Sequence, residues 1–347
     1  MQCETIDPRS DPEWNRFIRR VDSSIFHTPM WMDVISATYG IGFSAGVVVD
    51  DTGTYVAGLP YAVVDDARSR RAVLLPFSDF CDPLVNSMTE WTLLADELIS
   101  LGIPVSIRCI KSDLPMADDR FTFVGKAMWH GVDVSGEPAA IRQGFHRSAK
   151  NKINKAQKAG VEVRVGGTIA DVRSFFDLHL GVRKYRHGLL AQPLRFFENL
   201  WRRLIETGEG TLLLADLDGE PIGATFLLQW PDTLYYKFSA MSREHMPLGA
   251  NDLLLWHAVL EAKERNLELL DLGPSDIDQP GLVDYKRKFA TSEAEIHRLA
   301  HSPPGLEDRR AAELDHVLGA VTELFTRADT PDAVTEAAGD ALYRYFA

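Results

Sequence analysis

Cysteine is scarce in this 347-residue chain: Cys3, Cys81 and Cys109 are the only three, and no two form a CxxC pair. An odd, scattered set excludes a thiolate metal site by spacing and fits a reducing compartment, which predicts a cytoplasmic protein. A surplus of positive charge is also missing. With 37 Lys and Arg against 50 Asp and Glu, the formal net charge is -13. That balance argues against a general nucleic-acid coat, because phosphate contacts need cationic surface. It leaves room for one local basic groove. No apolar run approaches the roughly 20 residues that cross a bilayer, so no transmembrane segment is expected. The opening MQCETIDPRSDPEW is too polar and acidic for a secretory leader. His146, His179, His187, His245 and His257 make no HxxxH or HxH pair among themselves, and no metal site is predicted.

What the chain does have is a globular composition, 45% hydrophobic and 25% charged, over a length that suits two domains. One order of elements runs through it twice. Ser44–Asp50 reads as a strand, Asp51-Thr52-Gly53 as a hairpin turn, and Tyr55–Val64 as the returning strand. Arg71–Pro76 supplies a third strand, Glu90–Ser100 has helical periodicity, and Ile103–Ile110 reads as a buried strand. The second half repeats this order. Thr211–Leu217, the turn Asp218-Gly219-Glu220, Pro221–Trp230 and Thr233–Ala240 precede the amphipathic helix Asn251–Arg265 and the strand Glu268–Leu272. Hairpin, strand, helix, strand is the core order of the GNAT fold, so the prediction is a mixed α/β protein of two tandem GNAT-like units.

The Gly136–Gln143 stretch, which breaks regular structure, sets the predicted boundary, giving units over 1–138 and 139–302. Pro303-Pro304-Gly305 opens a helical tail over 303–347, whose stripe of Leu314, Val317, Leu318, Val321, Leu324 and Phe325 needs a partner surface. Just after the boundary, residues 142–158 read as one basic helix carrying Arg142, Arg147, Lys150, Lys152, Lys155 and Lys158, with no acid between Glu137 and Glu162. Phe145, Ala149, Ile153 and Ala156 form its docking stripe, and Gly160 stops it. Six unneutralised cations make a candidate anion site; the same composition serves tRNA phosphate, a nucleotide diphosphate or a solvated face.

Several of these segments resemble the Fem family of aminoacyl transferases, including its acetyltransferase-like branch. HRSAKNKINKAQKAGVEV is similar to that family's basic helix followed by Gly and a strand. FFDLHLGVRKYRHG with Pro193 and RFFENLWRRL resembles its helix, Arg, Gly, Pro, Phe-Phe order. LGANDLLLWHAVLEAKERNLELLDLG resembles its long helix and strand end, and GLVDYKRKFAT its aromatic-Lys-x-Lys-aromatic-Gly signature. LPFSDFCDPLV is similar to the Pro-rich loop that faces the donor in relatives. Pro274 stands where many members have a basic residue, and Ala290 where they have Gly. The resemblance implies a bacterial enzyme moving an aminoacyl group from aminoacyl-tRNA to an amine, the best-known acceptor being a peptidoglycan precursor in cell-wall synthesis. It also implies a tail that returns to the first unit.

Amide formation needs a neutral amine and a preorganised positive partner for the developing oxyanion, but no covalent intermediate and no cofactor. Lys286 matches the family's Lys and is the first catalytic candidate, with Lys288 beside it as a substrate contact. Asp79, in the Pro-bounded loop, is a candidate acceptor for the amine's proton; a turn aspartate also commonly bonds its own backbone. Arg183 and Arg186 have the chemistry to clamp a diphosphate or carboxylate of a nucleotide-linked acceptor. Tyr235 and Tyr236 alternate across a strand, so one faces inward. Arg147, Lys150, Lys152 and Lys155 are the tRNA or phosphate candidates. The alternative donor is an acyl-CoA, but Arg243 to Gly249 lacks the Arg/Gln-x-x-Gly-x-Gly/Ala spacing that cradles its diphosphate. A non-catalytic RNA- or anion-binding protein is the third reading.

Overall fold

The computed structural model describes residues 1–305 and 309–347. The chain divides into two compact units, Met1–Ala127 with Glu295–Val317 and Arg344–Ala347, and Met128–Ala294 with Leu318–Tyr343. The fold is mixed α/β in both. The break at Ala127 falls earlier than position 138. The reason is local: β6 (Thr122–Asp133) continues as one strand through it, while Pro138 sits in the first turn of a helix.

The first unit opens with β1 (Gln2–Ile6), α1 (Pro12–Ile18), α2 (Pro29–Tyr39), β2 (Ser44–Val49), β3 (Tyr55–Asp65) and β4 (Arg70–Val73). It continues through α3 (Met88–Ser100) and β5 (Val105–Cys109). Neighbouring strands β1 to β4 pair antiparallel, and β4 then pairs parallel with β5 at Ala72↔Val105 and Val73↔Ser106. Beyond Val73 the chain fills its own gap. Leu74 N–H donates to the Ser106 carbonyl at 3.1 Å, and Cys81 N–H to the Arg108 carbonyl at 2.8 Å. Trp14, Trp31, Trp91, Phe17 and Phe26 build the core of this unit, all buried.

The second unit holds α4 (Pro138–Gly144), α5 (Arg147–Lys158), β7 (Glu162–Val165), α6 (Ile169–Gly181) and α7 (Leu194–Leu200). Then come β8 (Gly210–Leu217), β9 (Glu220–Gln229), β10 (Thr233–Met241), α8 (Ala250–Glu264), β11 (Leu269–Asp276) and α9 (Pro280–Lys286). Strands β7 to β10 pair antiparallel and β11 joins β10 in parallel. Asp218 and Gly219 both take positive φ, the conformation a two-residue hairpin needs. Phe175, Phe196, Phe197 and Phe226 pack together in tilted and edge-to-face contacts, and α8 supplies Leu253, Leu254, Ala258, Val259 and Ala262 to a separate apolar cluster. The chain ends with β12 (Ser292–His301), α10 (Arg309–Phe325) and α11 (Asp332–Leu342).

Two expectations change here. The basic helix is not one helix from 142 to 158: α4 ends at Gly144, Phe145 is extended, and His146 caps α5 by accepting the Ser148 N–H at 3.2 Å. The break lets the Phe145 ring turn inward against Trp256 and Phe289, at centroid distances of 6.0 and 5.0 Å. The docking stripe itself is as expected, with Ala149, Ile153 and Ala156 buried. The tail divides rather than returning whole to the first unit. Asp315 pairs with Arg68 and the Ala347 carbonyl accepts from Arg71 in the first unit. Asp332, Glu336 and Asp340 instead pair with Lys184, Arg173 and Arg195 of the second. On α10, Leu318 is buried whereas Val317 and Leu324 remain exposed, so only part of the predicted stripe finds a partner.

Candidate functional site

Strands β10 and β11 pair only at Thr233↔Leu269, Leu234↔Leu270 and Tyr235↔Asp271. Beyond Tyr235, β10 keeps its pairing with β9 as far as Met241↔Gly223, and β11 runs on to Asp276. Two parallel strands that part in this way leave a wedge with main-chain groups along its walls. A register shift between Tyr236 and Phe238 marks a bulge in β10 at the mouth of this wedge, and a bulge re-aims the backbone groups around it. In the first unit the corresponding place is occupied by Cys81, whose N–H donates to the Arg108 carbonyl.

Residues of α8, β10 and α9 line up polar groups here. Asn251 accepts from Ser239 Oγ at 2.9 Å and donates to Tyr285 Oη at 2.6 Å, while Tyr236 Oη reaches Ser239 Oγ at 3.2 Å. Burial pushes the Tyr236 phenol up to about 12 and Tyr285 well above its usual value, so both hydroxyls keep their protons at neutral pH. Asp252 sits one residue on, 2% exposed, with Lys152 Nζ 4.0 Å from Oδ2 and no hydrogen-bond partner for Oδ1 among the described residues. Burial raises its carboxyl to about 6, opposed by the charges of Lys152 and Lys288.

The predicted site residues take definite places. Lys286 closes α9 and donates its ammonium to the carbonyls of Gly273 and Pro274, at 2.9 and 2.6 Å. Both lie on β11 beyond its last pair with β10, so Lys286 steadies the far wall of the wedge. Lys288 lies 5.8 Å from the Tyr285 ring centre. Tyr235 is buried and Tyr236 half-buried. Of the basic helix, Lys150 donates to the Gln143 carbonyl, Lys155 to the Pro247 carbonyl at 2.7 Å, and Lys152 faces Asp252. Arg147 and Lys158 are exposed. Arg183 is committed to its own loop, donating to the Leu190 carbonyl at 2.9 Å. Asp79 lies in the first unit, half-buried within the field of the half-buried Arg108 guanidinium. Sequence spacing did not flag His297 and His301, four residues apart on β12, but an extended strand separates such a pair by about 13 Å. Among the described residues no cluster of potential metal ligands converges.

Arg186 alone of the arginine pair faces a cavity. This cavity, of about 730 Å³, is bounded by Tyr185 and Arg186 on the turn after α6, by Met241 at the end of β10, and by Ser242, Arg243 and Met246 on the segment that follows it. Neither Arg186 nor Arg243 has an ion-pair partner among the described residues, whereas Asp177 on the same wall is paired with Arg173. Two guanidinium groups lining one cavity have the chemistry that suits an anion. Arg243, Asn251, Asp252 and Tyr285 were not singled out from sequence. The one available signal was Asp252, a lone acid at the head of the apolar run LLLW.

A wedge between parallel strands, followed by a loop and a helix N-terminus, is the core of the GNAT fold; the chain carries two GNAT-like units in tandem, the first with this gap filled by Leu74 and Cys81. The profile of the acetyltransferase (GNAT) domain matches residues 143–287, the stretch that contains the wedge. No curated protein sequence matches the chain. Among solved structures it is similar to FemX, with 14% identity and a TM-score of 0.67 over 92% of this chain and 100% of that one. It is also similar to the C-terminal domain of a putative lysylphosphatidylglycerol synthetase from Agrobacterium fabrum, at 14% identity and a TM-score of 0.56 over 88% and 95% of the two chains. A third likeness is to a tandem GNAT protein from the clavulanic acid biosynthesis pathway, at 12% identity and a TM-score of 0.56 over 88% and 100%. No described helix is long and apolar enough to cross a membrane.

Proposed function

We propose that this protein transfers an acyl group to an amine, with the donor carbonyl held in the wedge of the second unit. The observation that carries this reading is the parting of β10 from β11 after Tyr235 and Asp271, at a bulge. The edge of β10 that faces the wedge has no strand beside it, and its N–H groups suit a carbonyl oxygen gaining negative charge as the amine attacks. The tetrahedral species then expels the carrier and releases one proton from nitrogen, leaving an amide. Lys286, fixed on the carbonyls of Gly273 and Pro274, adds positive charge to the same wall. The acceptor amine belongs to a molecule with an anionic group, seated by Arg186 and Arg243.

The donor is an aminoacyl-tRNA, as the Fem resemblance implies, in preference to an acyl-CoA. Two features at the N-terminus of α8 support this preference. A Cβ at Gly249 would lie 2.7 Å from the Lys152 carbonyl oxygen of α5, and a buried carboxyl, Asp252, occupies the first turn. A second anion there meets both a steric wall and like charge. The exposed cations Arg147 and Lys158 on α5 are suited to a polyanion that stays outside. The acceptor is a peptide or small-molecule amine of the cell-wall-precursor kind. Incubation with charged total tRNA, or separately with acyl-CoA, in the presence of phosphate-bearing amines would be read by mass of the amide. Product with charged tRNA alone is expected. Product with acyl-CoA alone overturns the donor, and no product from either overturns the transfer.

A further inference from the structure

The tail helix α11 touches the second unit by a regular device. Asp332, Glu336 and Asp340 recur every four residues and so share one face of the helix. Opposite them stand three cations. Asp332 Oδ1 is 2.7 Å from Lys184 Nζ, a side chain with no exposed surface. Glu336 takes Arg173 at 3.0 and 3.1 Å through both oxygens, and Asp340 pairs with Arg195. Between these acids the helix is small where it docks. Gly339 lies so close to the Ala191 carbonyl that a Cβ would approach it to 2.5 Å.

What this face grips is the turn that walls the anion cavity. Asp332 Oδ1 accepts from Tyr185 Oη at 2.6 Å as well as from Lys184. Tyr185 lines the cavity, directly before Arg186. The same turn, Val182–His187, is a wide π-type coil ended by Gly188 at φ +61, a geometry with little intrinsic stability of its own. Lys184 also donates to the Thr330 carbonyl, just before α11 begins. Both ends of the segment 184–191 are thus held by residues 330–339.

We propose that α11 is a clamp that sets the position of Arg186 in the anion cavity, with Asp332 as its positioning residue. This rests on reading the Arg186 and Arg243 cavity as an anion seat. Without Asp332, Tyr185 loses its acceptor and the buried Lys184 ammonium its counter-charge. The turn then samples other conformations, and the guanidinium that follows is no longer preorganised.

Calorimetric titration of the full chain with inorganic pyrophosphate tests this. The wild type is expected to bind and Arg186→Gln to lose at least tenfold in affinity. Asp332→Ala is expected to lose a comparable factor, Asp332→Glu to recover part of it, and Asp340→Ala, at the far end of the same helix, to bind like wild type. Wild-type affinity in Asp332→Ala would overturn the clamp while leaving the cavity intact. So would equal losses in Asp332→Ala and Asp340→Ala, since docking alone would then explain both. Should Asp332→Ala fail to fold, the double variant Lys184→Met with Asp332→Leu removes both buried charges, and it must show the same loss. No binding by the wild type, or binding unaffected by Arg186→Gln, would remove the anion seat and this inference with it.

Discussion

Asp252 makes a quantitative prediction about stability against pH. Its carboxyl is buried and its folded pKa is raised from 3.8 to about 6, with burial as the largest cause. Lys152 and Lys288 are the cations that face it, and Tyr236 and Tyr285 the phenols. A raised folded pKa means that the native state binds the proton more tightly than the unfolded chain. Native stability is therefore lost as pH climbs from the unfolded value and levels off above the folded one. Between about pH 4.5 and 7.5 this single group removes about 2 kcal/mol, from RT times the difference in the logarithms of the two binding polynomials. Asp252→Asn has no such proton. Urea unfolding of both proteins across that range should show wild type losing about 2 kcal/mol that the variant keeps. Comparing slopes rather than absolute values cancels any constant cost of the amide. Parallel curves would refute the assignment and imply that water or a cation solvates the carboxyl.

Other predictions concern the same region. Gly249→Ala places a side chain at φ +85 and 2.7 Å from the Lys152 carbonyl oxygen, so it should cost about 2–4 kcal/mol in denaturant unfolding. A loss under about 1 kcal/mol would mean that α5 yields easily. Lys286→Ala frees two carbonyls on β11 and should destabilise by about 2 kcal/mol while abolishing transfer. If transfer survives at the wild-type rate, Lys286 is a strut and nothing more. The double variant Arg147→Ala with Lys158→Ala, which removes the exposed cations of α5, should weaken tRNA affinity, measured by filter binding. Equal tRNA affinity in the double variant would remove α5 from the donor site. In a transfer assay, Arg243→Gln should raise KM for the acceptor about tenfold with kcat little changed, the pattern of a lost binding contact. A fall in kcat at constant KM would contradict that role.

Much of the architecture was legible because it is local. Alternation placed β2, β3, β8, β9 and β10 to within a residue or two, and the Asp218-Gly219 turn declared its hairpin. The apolar stripe of α5 was readable for the same reason: helical period converts spacing directly into a face. The break at Phe145 was not, because its cause is the pair of distant rings on Trp256 and Phe289.

The candidate site was less legible. Lys286 and Arg186 could be nominated from pattern, but not that one would brace a strand and the other face a cavity. The acids of α11 stand four apart in plain view, yet their partners Lys184, Arg173 and Arg195 lie well over a hundred residues earlier in the chain. By itself the sequence determined which segments are strands and helices, and that their order recurs, since those follow from side-chain period and turn chemistry. Tertiary structure alone decided which parallel pair stays open, where Asp252 is buried and what the tail grips. Those depend on charges and volumes meeting across long loops, which no local pattern encodes.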